Sequence, residues 1–214
     1  DGPMTPQQLT DAPGKVMHFP TVLGADVPVY NIAGVNATLK FTGPALANIF
    51  LGKITKWNDP AITQSNPGVT LPNTEITVIH RADGSGTTYI WADYLAKVSP
   101  EWKMKIGVGT SPTWPVGLGG RGNEGVASLV KQTPGSIGYV ELIYASQNKI
   151  SYGSVQNMDG AFVLASVDTV TAAAASAASK MPPDFRVSIT NAPGADSYPI
   201  SSFTWLLIPS KIQD

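Results

Sequence analysis

The densest chemistry in the chain is the run His80-Arg81-Ala82-Asp83-Gly84-Ser85-Gly86-Thr87-Thr88. A short β-branched stretch, 76–79, precedes it, and a helical pattern over 89–98 comes after. The spacing therefore predicts strand, Gly-rich turn and helix. The first turn of a helix leaves N–H groups without intrahelical partners, and its dipole gathers partial positive charge there. Gly84 and Gly86 permit backbone angles and a close approach that a Cβ would block. Ser85 and Thr87 add hydroxyl donors. Arg81 adds a planar fork suited to two oxygens of a tetrahedral oxyanion. Together these groups make a cradle for one small anion. On pattern alone, a ligand-free tight turn and helix cap is the alternative. No Lys follows Gly86, so the segment is not a Walker A loop and nucleotide hydrolysis loses its main support.

Other candidates are weaker. Gly117-Leu118-Gly119-Gly120-Arg121-Gly122 matches G-x-G-x-x-G, with Glu141 downstream. A dinucleotide site needs a strand directly before that run. Ser111-Pro112-Thr113-Trp114-Pro115 holds two prolines and reads as a poor strand, so a flexible loop before a helix at Asn123 is expected. His18 flanks a strand and reads as a packed or surface histidine. Strand alternation should send His80 to the face opposite Arg81. The tryptophans at 57, 91, 102, 114 and 205 read as core or lid packing. There is no G-x-S-x-G and no evident Ser partner for either histidine, which argues against a catalytic triad. The chain holds no cysteine, which removes thiol catalysis, disulfides and Cys-ligated metals. With only two histidines a His-rich zinc site is not expected, an all-oxygen site stays open on composition alone, and no metal ligand or cofactor is assigned.

These groups must be positioned by a fold. The 214 residues carry 14 Lys and Arg against 15 Asp and Glu, and 43% are hydrophobic. Apolar content is enough for a core, and no basic cluster suggests a nucleic-acid partner. The most apolar stretch, 203–208, falls far short of the ~18 residues that span a membrane. The start, Asp1-Gly2-Pro3, lacks an initiator Met and a signal-peptide pattern, and reads as a processed or internal beginning. Thr5-Pro6-Gln7-Gln8 predicts a capped short helix. Strands are expected at 16–20 and 21–32, with Pro28 marking an edge or a crossing. Helices are expected over 43–52, 89–98, 123–131 and 169–180, and further strands at 76–79, 136–140 and 198–208. Interleaved strands and helices make this an α/β chain with a parallel or mixed sheet.

The 81–87 segment also resembles the signature loop of the phosphate-binding component of bacterial ABC phosphate uptake systems, the PstS-like family. The likeness extends through Phe19-Pro20-Thr21-Val22-Leu23-Gly24, Ile49-Phe50-Leu51-Gly52-Lys53-Ile54-Thr55-Lys56-Trp57-Asn58-Asp59, Tyr94-Leu95-Ala96-Lys97-Val98, residues 117–126 and Gly135-Ser136-Ile137-Gly138-Tyr139-Val140-Glu141. It implies a two-lobed, hinge-linked periplasmic-binding-protein fold of type II, closing on its ligand. The second lobe would occupy 28–195. Residues 1–27 and 196–214 would be strips of a partial first lobe, with hinge strands near 27–32 and 199–208. The family pattern runs on past both ends, which implies an internal piece.

The resemblance further implies that Arg81, Ser85, Gly86 and Thr87 contact phosphate and that Asp83 holds the Arg81 guanidinium from behind. Asp1-Gly2-Pro3-Met4 resembles the family's Asp-x-Pro-Leu segment, whose Asp accepts a hydrogen bond from a protonated phosphate oxygen. Sulfate carries no such proton at neutral pH and would leave that carboxylate facing an unpaired anion. The expected activity is reversible phosphate capture in the periplasm or outside the cell, without catalysis, by a monomer that delivers to ABC permease subunits. The alternatives are a phosphate-ester enzyme and a ligand-free surface or adhesion module.

Overall fold

The computed structural model describes residues 2–178 and 181–210. Asp1 and the last two residues of the helix expected at 169–180 lie outside them. Helix α1, Pro6–Asp11, opens with the expected capping box: Thr5 Oγ1 accepts from the Gln8 amide, and Gln8 Oε1 accepts from the Thr5 amide at 2.8 Å.

One strand organises the rest of the chain. β1, Val16–Asn31, is continuous where the sequence suggested two strands. The chain continues through β2 (Lys40–Phe41), α2 (Gly43–Phe50), α3 (Pro60–Thr63), β3 (Thr77–Arg81), α4 (Gly86–Val98), α5 (Pro100–Lys105) and β4 (Leu118–Gly120). Then come α6 (Gly122–Gln132), β5 (Ser136–Glu141), α7 (Leu142–Asn148), β6 (Ser151–Tyr152), β7 (Ser154–Gln156), β8 (Phe162–Val163), α8 (Val167–Ala178) and β9 (Ser201–Pro209).

The first half of β1 pairs antiparallel with β9, from Val16 opposite Pro209 to Ala25 opposite Ser201. A β-bulge between Pro20 and Val22 shifts the register. From Asp26 onward β1 pairs antiparallel with β5, reaching Asn31 opposite Ser136, and β6 flanks its other side. Pro28 lies two residues past the change of partner, opposite Tyr139 inside the β5 ladder, rather than at the crossing itself. β5 pairs parallel with β3, and β3 parallel with β4. The main sheet runs β4-β3-β5-β1-β6, while β2, β7 and β8 form a small second sheet. This is the mixed α/β architecture expected from the interleaved elements.

The core lies where the helices cover the main sheet. Phe50, Trp57, Trp91, Tyr94, Trp102 and Tyr139 are fully buried. Trp91 stacks on Tyr139 with centroids 5.0 Å apart and planes at 12°. Trp114 packs against Phe50, Trp102 and Tyr139, and Trp205 donates to the Phe185 carbonyl, so every tryptophan is a packing residue.

The Gly-rich stretch at 117–122 is a correction. It is not a flexible loop: its centre is β4, an edge strand paired with β3, and α6 starts directly after it. Glycine makes this pairing possible by removing bulk. A Cβ on Gly120 would lie 2.7 Å from the Val126 amide nitrogen, and one on Gly117, at φ +110°, 2.6 Å from the Val78 carbonyl.

Candidate functional site

β3 and β5 are parallel and end side by side at Arg81 and Glu141. The carboxyl ends of strands in open α/β sheets are where ligands sit. α4 begins five residues after β3 ends, so its N-terminus opens at this edge. Ser85 is its N-cap, with φ −148° and ψ 132°, and Ser85 Oγ accepts from the Thr88 amide at 3.2 Å. The Ser85 amide donates to the Thr110 carbonyl, and the Tyr89 amide to the Ser85 carbonyl. The amides of Gly86 and Thr87 donate to no acceptor among the described residues. They are the open donors of the helix start.

Both hydroxyls keep a hydrogen to donate. Ser85 and Thr87 are buried. Ser85 Oγ uses a lone pair on Thr88, and Thr87 Oγ1 accepts from Asn123 Nδ2 at 3.3 Å. Gly84 has a different role from the one its type suggested. Its φ is not in the left-handed region, and a Cβ there would meet no atom within 4 Å. Nothing inside the protein requires glycine at 84, and the space beside it is open to an approaching ligand.

Arg81 is held on one edge. Its Nε donates to Asp83 Oδ1 at 2.9 Å and its Nη2 to Oδ2 at 2.7 Å, and its side chain is 9% exposed. That leaves the guanidinium's remaining N–H groups for an external acceptor. The Gly122 amide, at the start of α6, also donates to Asp83 Oδ1 at 3.1 Å. Asp83 therefore ties the end of β3 to a second helix start. The Arg81 guanidinium and the Gly122 amide hold the Asp83 carboxyl well below the usual carboxylate range. Conversely, the bond to Asp83 raises Arg81, so the pair is fully charged at neutral pH.

The structure brings Arg81, Asp83, Ser85, Gly86 and Thr87 together at one strand end and one helix start. Asp1 lies outside the described residues. Gly2 packs so closely on the Tyr89 ring that a Cβ would come within 2.4 Å of it, which sets the second residue of the chain against the first turns of α4. The sequence did not single out three supporting groups. Tyr139 Oη accepts from the Arg81 amide at 3.3 Å and shares a 2.6 Å hydrogen bond with Thr88 Oγ1, and burial pushes its phenol up. Asn123 links Thr87 to the Glu141 amide. The third is the Gly122 amide. The only local clue was that Gly122 and Asn123 open a predicted helix beside the Gly-rich run.

The histidines are occupied by packing. His80 stacks on Trp114 at 4.7 Å and 13°, and burial lowers it. His18 is buried, accepts from the Met4 amide at 3.2 Å, and is lowered chiefly by burial. Among the described residues, no group of three or more His, Cys, Asp and Glu could hold a metal, and no helix is long and apolar enough to cross a membrane.

Asp83 gives a direct test of the anchoring. Asp83→Ala in the full-length protein should weaken the hold of the cradle on an anion, with inorganic phosphate as the probe, roughly ten- to a hundredfold, the equivalent of a charge-assisted hydrogen bond of about 1.5–3 kcal/mol. Because its folded pKa is depressed, the stability it adds is present above the unfolded carboxylate pKa of about 4 and is lost as pH falls. With about a third of the side chain exposed, that stability is small. Melting curves of wild type and variant should converge in strong acid; a gap that widens there would contradict the ion-pair reading.

Comparison with known proteins sets this geometry in context. The PBP superfamily domain model matches residues 1–213. The chain is similar to the phosphate-binding protein PstS of Xylella fastidiosa (strain Temecula1), 50% identical over 215 residues, covering 100% of this chain and 58% of that protein. It is similar to the phosphate-binding protein PstS of Pasteurella multocida, at 47% identity, covering 97% of this chain and 60% of that one. The chain thus spans about three-fifths of the curated relatives it matches. Among solved structures, a high-affinity periplasmic phosphate-binding protein, PfluDING, bound with phosphate, superposes with a TM-score of 0.71 at 20% identity, covering 96% of this chain and 63% of that one. An ABC-type phosphate transport receptor from Vibrio cholerae superposes at 0.57 and 16%, covering 100% and 66%. Both are likenesses of fold.

Proposed function

Since the chain belongs to the PBP superfamily and is PstS-like, we propose that it captures inorganic phosphate reversibly as part of the solute-binding component of an ABC phosphate uptake system. The observation that carries this reading is the donor set at the end of β3. Two amides at the start of α4 have no acceptor among the described residues, two buried hydroxyls keep their hydrogens, and Arg81 presents a free edge. A helix start binds anions through its N–H groups and dipole. Arg81 is already neutralised by Asp83, so local dipoles and directed hydrogen bonds dominate over net charge. Such a site favours an ion of the right shape over anions in general.

Asp1 belongs to this reading as the acceptor for a protonated phosphate oxygen. The capture site would be the periplasm or the cell exterior, the protein a monomer, and the recipients ABC permease subunits. No bond need be made or broken. Within the loop itself the candidates for catalysis are Asp83 and Ser85, and Asp83 is a poor base because Arg81 and Gly122 hold it ionised. The lobe division at 28–195, with 1–27 and 196–214 in the first lobe, is supported by the change of β1's partner between Ala25 and Asp26.

The test is calorimetric titration of the full-length protein with phosphate and with sulfate at neutral pH. Tight phosphate binding with no sulfate heat is expected. Equal affinities, or heat from neither, would overturn the proposal. Release of phosphate from a chromogenic ester would favour the enzymatic alternative instead.

A further inference from the structure

Asp26 is the most unusual side chain outside the cradle. It is 1% exposed, and neither carboxyl oxygen has a hydrogen-bond partner among the described residues. Its backbone is fully used: the amide donates to the Ile200 carbonyl at 3.0 Å, and its carbonyl accepts from Tyr198 Oη at 2.7 Å. It is the residue at which β1 leaves β9 and joins β5.

Its direction follows from the ladder. Asp26 lies opposite Glu141, and Pro28 opposite Tyr139. Paired residues share a face, and so do alternate residues of one strand. Asp26 therefore points to the face that carries Tyr139, whose ring stacks on Trp91 of α4. That is the face on which α4 packs. Across the sheet, β3 is two strands away, which places Arg81 about 10 Å from β1.

We propose that Asp26, a buried and unpartnered carboxyl on the sheet face that carries α4, is an affinity-determining residue for the anion held in the cradle. The proposal rests on the phosphate reading above. An unpaired carboxylate inside a protein is far costlier than the neutral acid. Burial pushes Asp26 well above the usual carboxylate range, and Glu141 directly across the ladder pushes it further. Arg81 acts the other way. The other titratable groups facing it are the Tyr139 and Tyr198 phenols, neutral at pH 7 as phenols are and kept so to higher pH by burial. Burial without a partner favours the uncharged acid, which tolerates an anion nearby. Once ionised, it sets a second negative charge beside the ligand. Over about 10 Å at an effective dielectric of about 20, that repulsion corresponds to roughly tenfold in affinity.

The sign is fixed: affinity for phosphate should fall as pH rises through the Asp26 titration. The experiment compares the full-length wild type with Asp26→Asn and Asp26→Val. Each is titrated with inorganic phosphate from about pH 6 to about pH 10, a range that spans a strongly raised carboxyl, with melting curves at every pH to keep only folded samples. Phosphate's own ionisation and the tyrosines are common to all three proteins, so the difference between profiles isolates Asp26. Wild type should lose about tenfold more affinity than either variant across the alkaline range. The carboxyl carbon-13 resonance of Asp26 in the ligand-free protein should show the neutral acid at neutral pH. Parallel profiles for wild type and Asp26→Asn, or an ionised resonance at neutral pH, would overturn the inference while phosphate binding stands. A wild type that binds no phosphate at any pH would overturn the phosphate reading itself, and this inference with it.

Discussion

Replacing Arg81 by alanine should weaken phosphate binding by the full-length protein about a thousandfold, with only a small loss of stability. Removing one partner of a buried, hydrogen-bonded charge pair costs about 2–5 kcal/mol of binding, and about 4 kcal/mol corresponds to three decades. The substitution takes away the planar donor of the site. It also leaves Asp83, a full negative charge, facing the anion with only the Gly122 amide to quiet it. Two losses therefore fall on one change. The fold has little stake in the side chain. Arg81 contributes to β3 through its backbone, and Asp83 is partly solvated once released. The melting temperature without ligand should drop by only a few degrees, the size of a change of about 1 kcal/mol in a chain of this length. Wild type should also melt higher when phosphate is added, since a ligand that binds only the folded state stabilises it, and the variant should show no such rise. Calorimetry with scanning fluorimetry checks both. A variant within about threefold of wild-type affinity, a difference under about 1 kcal/mol, would remove Arg81 from the site.

The second large effect is on stability. Trp57→Ala should destabilise the protein by about 3–5 kcal/mol, read as a lowered midpoint of chemical unfolding. Trp57 is 0% exposed and packs against Tyr30 and Phe41 with centroids 6.2 and 6.5 Å away. Its indole Nε1 donates to the Gly135 carbonyl at 2.9 Å, and the Gly135 amide donates to the Asn31 carbonyl. One ring thus fixes the entry to β5 against the end of β1. Trp57→Phe removes the hydrogen bond and part of the ring and should cost clearly less. The partners of the Trp57 ring are Tyr30, Phe41 and Gly135, none of them in the cradle, so the alanine variant should lose phosphate affinity only as far as it unfolds. Equal costs for the two variants would show that packing volume is not what Trp57 supplies.

Much of this was legible from local signals. The capping box at Thr5, the β-branched run before Arg81 and the apolar periodicity of α4 are written in consecutive residues, and short-range physics decides them. The cradle was legible for the same reason: Arg81 to Thr87 are contiguous, and one turn brings their donors together. The features that escaped depend on distant partners. β1 is unbroken because β9, at the far end of the chain, and then β5 extend its ladder, so Pro28 ends neither. β4 is a strand only because β3 lies beside it, and its glycines advertise a loop. α7 was missed because its N-cap, Glu141, makes no side-chain capping bond and so carries no start signal. The hydrogen bonds of Gly122, Asn123 and Tyr139 to the cradle span 39, 36 and 58 positions and left no local trace.

The continuity of β1 also constrains its length. Because side chains alternate along a single strand, adding or deleting one residue between Ala25 and Asp26 would rotate everything beyond by half a revolution. Val27 and Val29, now fully buried, would trade places with Pro28 and Tyr30, and Asp26 would turn away from α4. The strand works as a keyed axle: it fixes the angular phase between the ribbon at one end and the sheet at the other. It admits changes in length two residues at a time, or through a kink of the kind already present between Pro20 and Val22.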